Sequence, residues 1–260
     1  MTIPNGPAVG AADDPLPEAM ALVRSASEAG YQLKILGGLG VRVLCPDFPP
    51  RMRAGQDMDL ACLGKTRRKV ADHLEQAGCI PDKRFNNLNG DRQMYFNAPS
   101  GRPIDVMVDR LSMCHTLEFR SSFGSASATL DPADLLLSKL QIVEINEKDA
   151  HDIFHLLSGV RVGSDANPLA RPFIDPDRFG SVLAGDWGWW RTVTGSLNKL
   201  PDLLASQPNL APPYPKYDAL TQAKQLLEIA DTVPKGLKWK TRARVGDRVR
   251  WYELPEEVGH

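Results

Sequence analysis

Apolar positions recur at helical spacing from Pro15 to Ala29. Leu16, Ala19, Met20, Val23 and Ala26 share one face, and Gly30 ends the run. Gln32-Leu33-Lys34-Ile35-Leu36 predicts a short strand that runs into Gly37-Gly38, and Leu39 to Leu44 fits a helical turn. Cys45 to Pro50 carries three prolines in six residues and predicts loop, because each proline removes a backbone donor. Polar and apolar residues then alternate over Asp57-Met58-Asp59-Leu60-Ala61-Cys62, a strand pattern, before a helix over Lys65 to Ala77 that Gly78 stops.

Two further strands, Gln93 to Phe96 and Pro103 to Val108, flank a turn at Pro99-Ser100-Gly101, and Thr116 to Phe119 predicts another. The period then becomes helical over Pro132 to Val143 and Glu147 to Leu157. Gly, Asn, Pro and Ser dominate Gly159 to Pro172, the expected linker. From Asp175 onward the pattern is helical, with Pro176 and Pro201 at expected first turns and a clear helix over Tyr217 to Thr232. The simplest architecture is an α/β part over residues 13–160 followed by an all-α part over residues 172–260.

Composition narrows the class. The 260 residues are 42% hydrophobic and 24% charged with a net charge of −1, which excludes general disorder and a wholly basic coat protein. No apolar run approaches the roughly 20 residues a bilayer span needs. Residues 1–17 have neither a basic nor an apolar signal region, so the expected location is cytoplasmic. Cys45, Cys62, Cys79 and Cys114 form no CxxC pair and predict buried, reduced thiols rather than a zinc site.

Candidate chemistry concentrates in Gly37-Gly38, Asp57-Met58-Asp59 and Ile104-Asp105-Val106. Carboxylates at i and i+2 on a strand share a face, and a third from a neighbouring strand can join them. Three like charges together need a positive partner, and a hard divalent cation such as Mg²⁺ prefers oxygen ligands. Paired glycines permit close backbone approach to a triphosphate. Together these parts fit metal-assisted nucleotidyl transfer, with Asp57 and Asp59 holding the metals and Asp105 ligating one while helping to remove the proton of the incoming hydroxyl.

With Arg53-Ala54-Gly55-Gln56 before the first aspartate, these segments resemble the DNA polymerase beta-like nucleotidyltransferase superfamily, and more closely its AbiEii-type branch of toxin and phage-defence proteins. Arg53, four residues before Asp57, matches that branch, as do Asp134-x4-Lys139 and Lys148-Asp149-x2-Asp152. The likeness covers about residues 33–157. Its departure is Gly55, where the family often has a hydroxyl residue two positions before the first aspartate.

The resemblance implies an α+β fold, a mixed sheet flanked by helices, followed by an all-α C-terminal domain. It also implies Mg²⁺, an NTP substrate, an RNA acceptor such as a tRNA end, and a protein antitoxin. Gly37, Gly38, Arg53, Asp134, Lys139, Lys148 and Asp152 become nucleotide-binding candidates. Lys139 is expected as a mobile ammonium on the triphosphate, against the plainer reading of a solvated charge beside Leu135, Leu136, Leu137 and Leu140. For Asp149 and Asp152 the plainer reading is a salt bridge on a helix surface. Two alternatives stand beside RNA transfer: a small-molecule acceptor, as for antibiotic-modifying enzymes, and a degenerate nucleotide- or partner-binding protein.

Other features point elsewhere. His151-Asp152-Ile153-Phe154-His155 imitates a zinc-protease motif, but Asp is too short for its general base and no third ligand is evident. Trp187, Trp189 and Trp190 fit a helical core better than base stacking. Between Lys235 and Arg250 seven cations, among them Lys238, Lys240, Arg242 and Arg244, face only Asp247. With Trp239 and Trp251 interleaved, this tail reads either as an RNA surface or as a solvated amphipathic face balanced by Glu253, Glu256 and Glu257. Arg67-Arg68-Lys69 is a smaller basic cluster.

Overall fold

A computed structural model describes residues 14–51, 55–164 and 172–254. In chain order the elements begin with α1 (Pro15–Glu28), β1 (Leu33–Ile35), α2 (Gly37–Leu44), β2 (Met58–Cys62), α3 (Arg67–Gln76), β3 (Ile80–Pro81) and α4 (Lys83–Asn89). There follow β4 (Gln93–Asn97), β5 (Pro103–Val108), β6 (Arg110–Ser112), β7 (Thr116–Glu118), α5 (Pro132–Leu140) and α6 (Glu147–Gly159). The last are β8 (Arg161–Val162), β9 (Phe173–Ile174), α7 (Pro176–Gly185), α8 (Trp187–Ser206), α9 (Ala219–Thr232) and α10 (Leu237–Val245).

These elements form two compact units, Met1–Ile35 with Pro50–Val108, and Leu36–Pro49 with Asp109–His260. The division differs from the expected break near residue 160, because α5 and α6 group with the later helices. The reason lies in α5: every residue but Lys139 is buried, so the helix needs apolar partners on all sides. It finds them in α2, α6, α7 and α8.

The first unit is a mixed five-stranded sheet in the order β1-β2-β5-β4-β3, parallel between β2 and β5 and antiparallel elsewhere. Alternation separates its faces. Met58, Leu60, Cys62, Met94, Phe96, Ile104, Val106 and Val108 are all buried, while the residues between them on β4 and β5 are half-buried. Helices α1 and α3 touch each other and add Ala19, Leu22, Val23, Ala26, Val70 and Leu74 to this core. Asp14 and Asp82 cap α1 and α4 by accepting from Leu16 N and Phe85 N, each at 2.9 Å.

Among its described residues the regular structure of the second unit is helical apart from two short pairs, β6 with β7 antiparallel and β8 with β9 parallel. Gln222 of α9 fastens the end of α6 by donating to Val160 O at 2.9 Å. Two expectations need correction, and three short elements carried none. Pro201 lies inside α8 rather than at a first turn; it removes one helical hydrogen bond, and buried Leu197 and Leu200 hold the helix through it. Part of the expected linker is β8, and residues 165–171 lie outside the described range. The strand β6 and the short β3 and α4 escape the periodicity because each is too brief to show one. Among the described residues no helix is long and apolar enough to cross a membrane.

Candidate active site

The polar face of the five-stranded sheet carries the acidic residues. Asp59 on β2 is the register partner of Asp105 on β5, and Asp105 is the partner of Tyr95 on β4. One row across the sheet therefore reads Tyr95, Asp105, Asp59, with backbones about 4.8 Å apart. Asp57, one residue before β2, belongs to the same face by alternation. The three carboxyl residues are half-buried.

Gln93 Nε2 donates to Oδ1 of Asp105 at 2.5 Å. Gln93 lies on β4, on the opposite side of β5 from β2, so this bond engages one Asp105 oxygen away from Asp59. Burial raises the pKa of Tyr95, and the charges of Asp105, Asp82 and Asp57 raise it further. That shift registers negative charge gathered on this face. The sequence reading missed Lys34. It pairs in register with Ala61, shares the face with the three aspartates and is 2% exposed. The available signal was a lysine in the middle of an apolar strand.

The donor set suits a hard divalent cation: three carboxylates, two of them side by side, with no sulfur. As the side chains stand, no group of three or more His, Cys, Asp or Glu among the described residues is gathered to hold a metal ion, so these carboxylates would have to turn toward one another to share one.

The other candidates cluster in the second unit. Gly37 opens α2 in the left-handed region at φ 64°, a conformation glycine adopts without penalty. A Cβ added to Gly38 would stand 3.6 Å from Oδ2 of Asp152, an ordinary contact, so packing alone does not require glycine there. Lys139 Nζ lies 2.8 Å from Asp152 Oδ2 and 3.3 Å from Asp149 Oδ1. The expected mobile ammonium is instead held between two carboxylates at 15% exposure. Burial pushes Asp152 upward, but His151 and Lys139 outweigh it and hold the carboxyl below its ordinary value.

Beside this cluster His151 and His155 lie with ring centroids 3.9 Å apart. Burial, reinforced by His151, lowers the pKa of His155 to about 4. Cys45 Sγ donates to His155 O at 3.4 Å, and burial pushes its thiol up to about 12. None of the four cysteines is in a disulfide, and all four are buried, as expected.

Asp134 needs correction as a nucleotide contact. It is 0% exposed and accepts from Ser122 Oγ at 2.6 Å and Arg178 Nε at 2.7 Å. Burial raises its pKa despite Arg178 and Ser122. Its place on the buried turn of α5 leaves no surface for a ligand. Lys148 is exposed, and Arg53 lies outside the described residues.

In the basic tail, Lys238, Lys240 and Arg244 are exposed. Arg242 is not a free surface charge: it donates to Gly246 O at 2.8 Å and Val249 O at 2.7 Å and lies 4.5 Å above the Trp187 ring. Trp187 and Trp189 are buried in the helical unit, as expected.

The chain matches no family model and no curated protein. Among solved structures it aligns with a lincosamide antibiotic adenylyltransferase, LnuA, with lincomycin bound. The identity is 17% and the TM-score 0.40, over 55% of this chain and 96% of that one. It also aligns with an antigenic nucleotidyltransferase-like protein from Paracoccidioides brasiliensis at 12% identity and TM-score 0.40, over 87% of this chain and 96% of the other.

Proposed function

We propose that the protein is a metal-dependent nucleotidyltransferase that moves a nucleoside monophosphate from an NTP to a hydroxyl acceptor. The observation that carries this reading is the register pairing of Asp59 with Asp105 on the polar face of a mixed sheet, with Asp57 two residues away on the same face. In this reading Asp57, Asp59 and Asp105 would hold Mg²⁺ once their carboxylates turn toward one another, and the ion would supply charge neutralisation for the triphosphate and activation of the attacking oxygen. Asp105 accepts the proton of the incoming hydroxyl. Gln93 is a positioning residue that fixes one Asp105 oxygen, and Lys34 adds a compensating charge to the same face. Within the second unit Gly37 and Gly38 are the proposed phosphate contacts, and Lys139 becomes one by releasing Asp149 and Asp152.

RNA is the proposed acceptor, supported by the exposed cations Lys238, Lys240 and Arg244. A toxin role with an antitoxin partner follows from the AbiEii-type resemblance. The test is incubation with each of four α-labelled NTPs, Mg²⁺ and bulk tRNA, beside the Asp59→Asn variant. Label on RNA from the parent protein and none from the variant supports the reading. Label on small hydroxylated compounds alone keeps the chemistry and replaces the acceptor. No transfer to either, with NTP bound, leaves a nucleotide-binding protein.

A further inference from the structure

Within the second unit α8, α9 and α10 enclose an open groove of about 670 Å³ whose lining includes Trp187, Trp190 and Trp239. Trp190 and Trp239 meet edge to face at 5.5 Å, and both are half-buried, so each keeps ring surface to offer. Their orientations are fixed from behind. Trp239 Nε1 donates to Leu183 O at 3.0 Å, and Trp187 lies under the Arg242 guanidinium. Trp190 Nε1 is buried without an acceptor among the described residues, a cost that a bound acceptor would relieve. Asn198 adds an exposed amide to the walls, and Asp231 adds an exposed carboxylate.

Charge decides what kind of occupant fits. Helix α10 carries no acidic residue. Trp239 and Ala243, four residues apart, line the groove together. Lys240 and Arg244 follow them by one position each, about 100° round the helix, which puts both exposed cations along one rim. Exposed Lys238 flanks Trp239 on the other side. An apolar protein helix would gain nothing from such a rim. A nucleic-acid strand presents aromatic faces to the rings and a phosphate per nucleotide to the cations, provided its bases are unstacked and accessible.

We propose that this groove docks single-stranded nucleic acid, with a base against Trp190 and Trp239 and flanking phosphates on Lys238, Lys240 and Arg244. The surface lies in the second unit alone, and binding is measured without NTP, so its failure is separable from failure of the transferase reading.

The test is fluorescence anisotropy of the full chain with a labelled 12-nucleotide RNA of mixed sequence, the same RNA as a duplex, and a labelled mononucleotide. The single strand should bind most tightly. Lys240→Gln with Arg244→Gln, both exposed, should weaken binding and reduce the slope of log K against log salt by about 1.4, the value for two lost phosphate contacts. Trp190→Leu, checked for folding by circular dichroism, should weaken binding roughly tenfold, the loss of one stacking partner. Equal affinity for duplex and single strand, an unchanged salt slope in the double variant, or unaltered binding by folded Trp190→Leu would each overturn the proposal. Absence of single-strand binding at low salt would also overturn it.

Discussion

Asp59 and Asp105 stand side by side on adjacent parallel strands, each the register partner of the other. Like charges in such a pair are destabilising. The arrangement is therefore hard to explain as a stabilising feature of the sheet, and the proposed chemistry gives it a reason.

Asp105→Asn preserves an acceptor for Gln93 and removes one charge of the pair. The expected outcome is a melting temperature equal to or above that of the parent, with transfer activity reduced about 100-fold or more, as for loss of a general base. Thermal melting and label transfer measured on the same preparation check both halves. Lost activity with a lowered melting temperature would assign Asp105 a structural role.

Gly37 and Gly38 separate backbone need from ligand need. Gly37→Ala places a side chain at φ 64° and should cost about 1–2 kcal/mol. Gly38→Ala meets Asp152 only at ordinary contact distance, so stability should change by less than about 1 kcal/mol. If Gly38 serves a phosphate, the same variant loses NTP affinity by calorimetry. Undiminished affinity removes Gly38 from the candidate contacts.

Lys139→Met leaves Asp149 and Asp152 facing each other without their shared ammonium. The expected destabilisation at pH 7 is about 3 kcal/mol. Asp152 has a folded pKa held below its ordinary value, so the stability it contributes is present above the ordinary carboxylate range and lost as pH falls through the folded pKa. Denaturant midpoints of parent and variant should therefore converge on acidification. A gap independent of pH would mean that Lys139 acts by packing.

Asp134→Ala should destabilise by about 3 kcal/mol, because Arg178 loses a partner that is entirely buried. NTP affinity of the folded fraction should remain at the parent value. Adding Arg178→Met should recover part of the loss, which a double-mutant cycle in urea reads directly.

His115 and His155 each have a pKa lowered from 6.5 to about 4, in both cases first by burial. For a histidine kept neutral by the fold, the stability is complete above 6.5 and is lost as pH falls from 6.5 towards 4. The urea midpoint should decline over that window, and a His115→Gln, His155→Gln variant should flatten the decline. An equal decline in the variant would transfer the effect to other groups.

Local signals were enough to reveal the elements whose own residues specify them. Alternation over 57–62 predicts the strand β2, and the apolar spacing of α1, α6 and α9 predicts helices by the same local logic. The shared face of Asp57 and Asp59 is equally local, since a strand has a period of two. Periodicity fails where an element is shorter than its own period can show, as in β3 and β6, or where neighbours override a residue, as at Pro201.

Tertiary structure alone decided which distant residues became partners. Sequence order says nothing about parallel pairing of β2 with β5, because strand order depends on non-local hydrogen bonding, and that pairing makes Asp59 and Asp105 neighbours. Burial likewise withdrew Asp134 behind Arg178, fixed Lys139 between two carboxylates and turned Arg242 onto backbone carbonyls. It also brought Lys34 onto the acidic face, where a charge inside an apolar run had given no sign of its neighbours. Residue type sets what each side chain can do; the long-range packing of the chain sets what is within its reach.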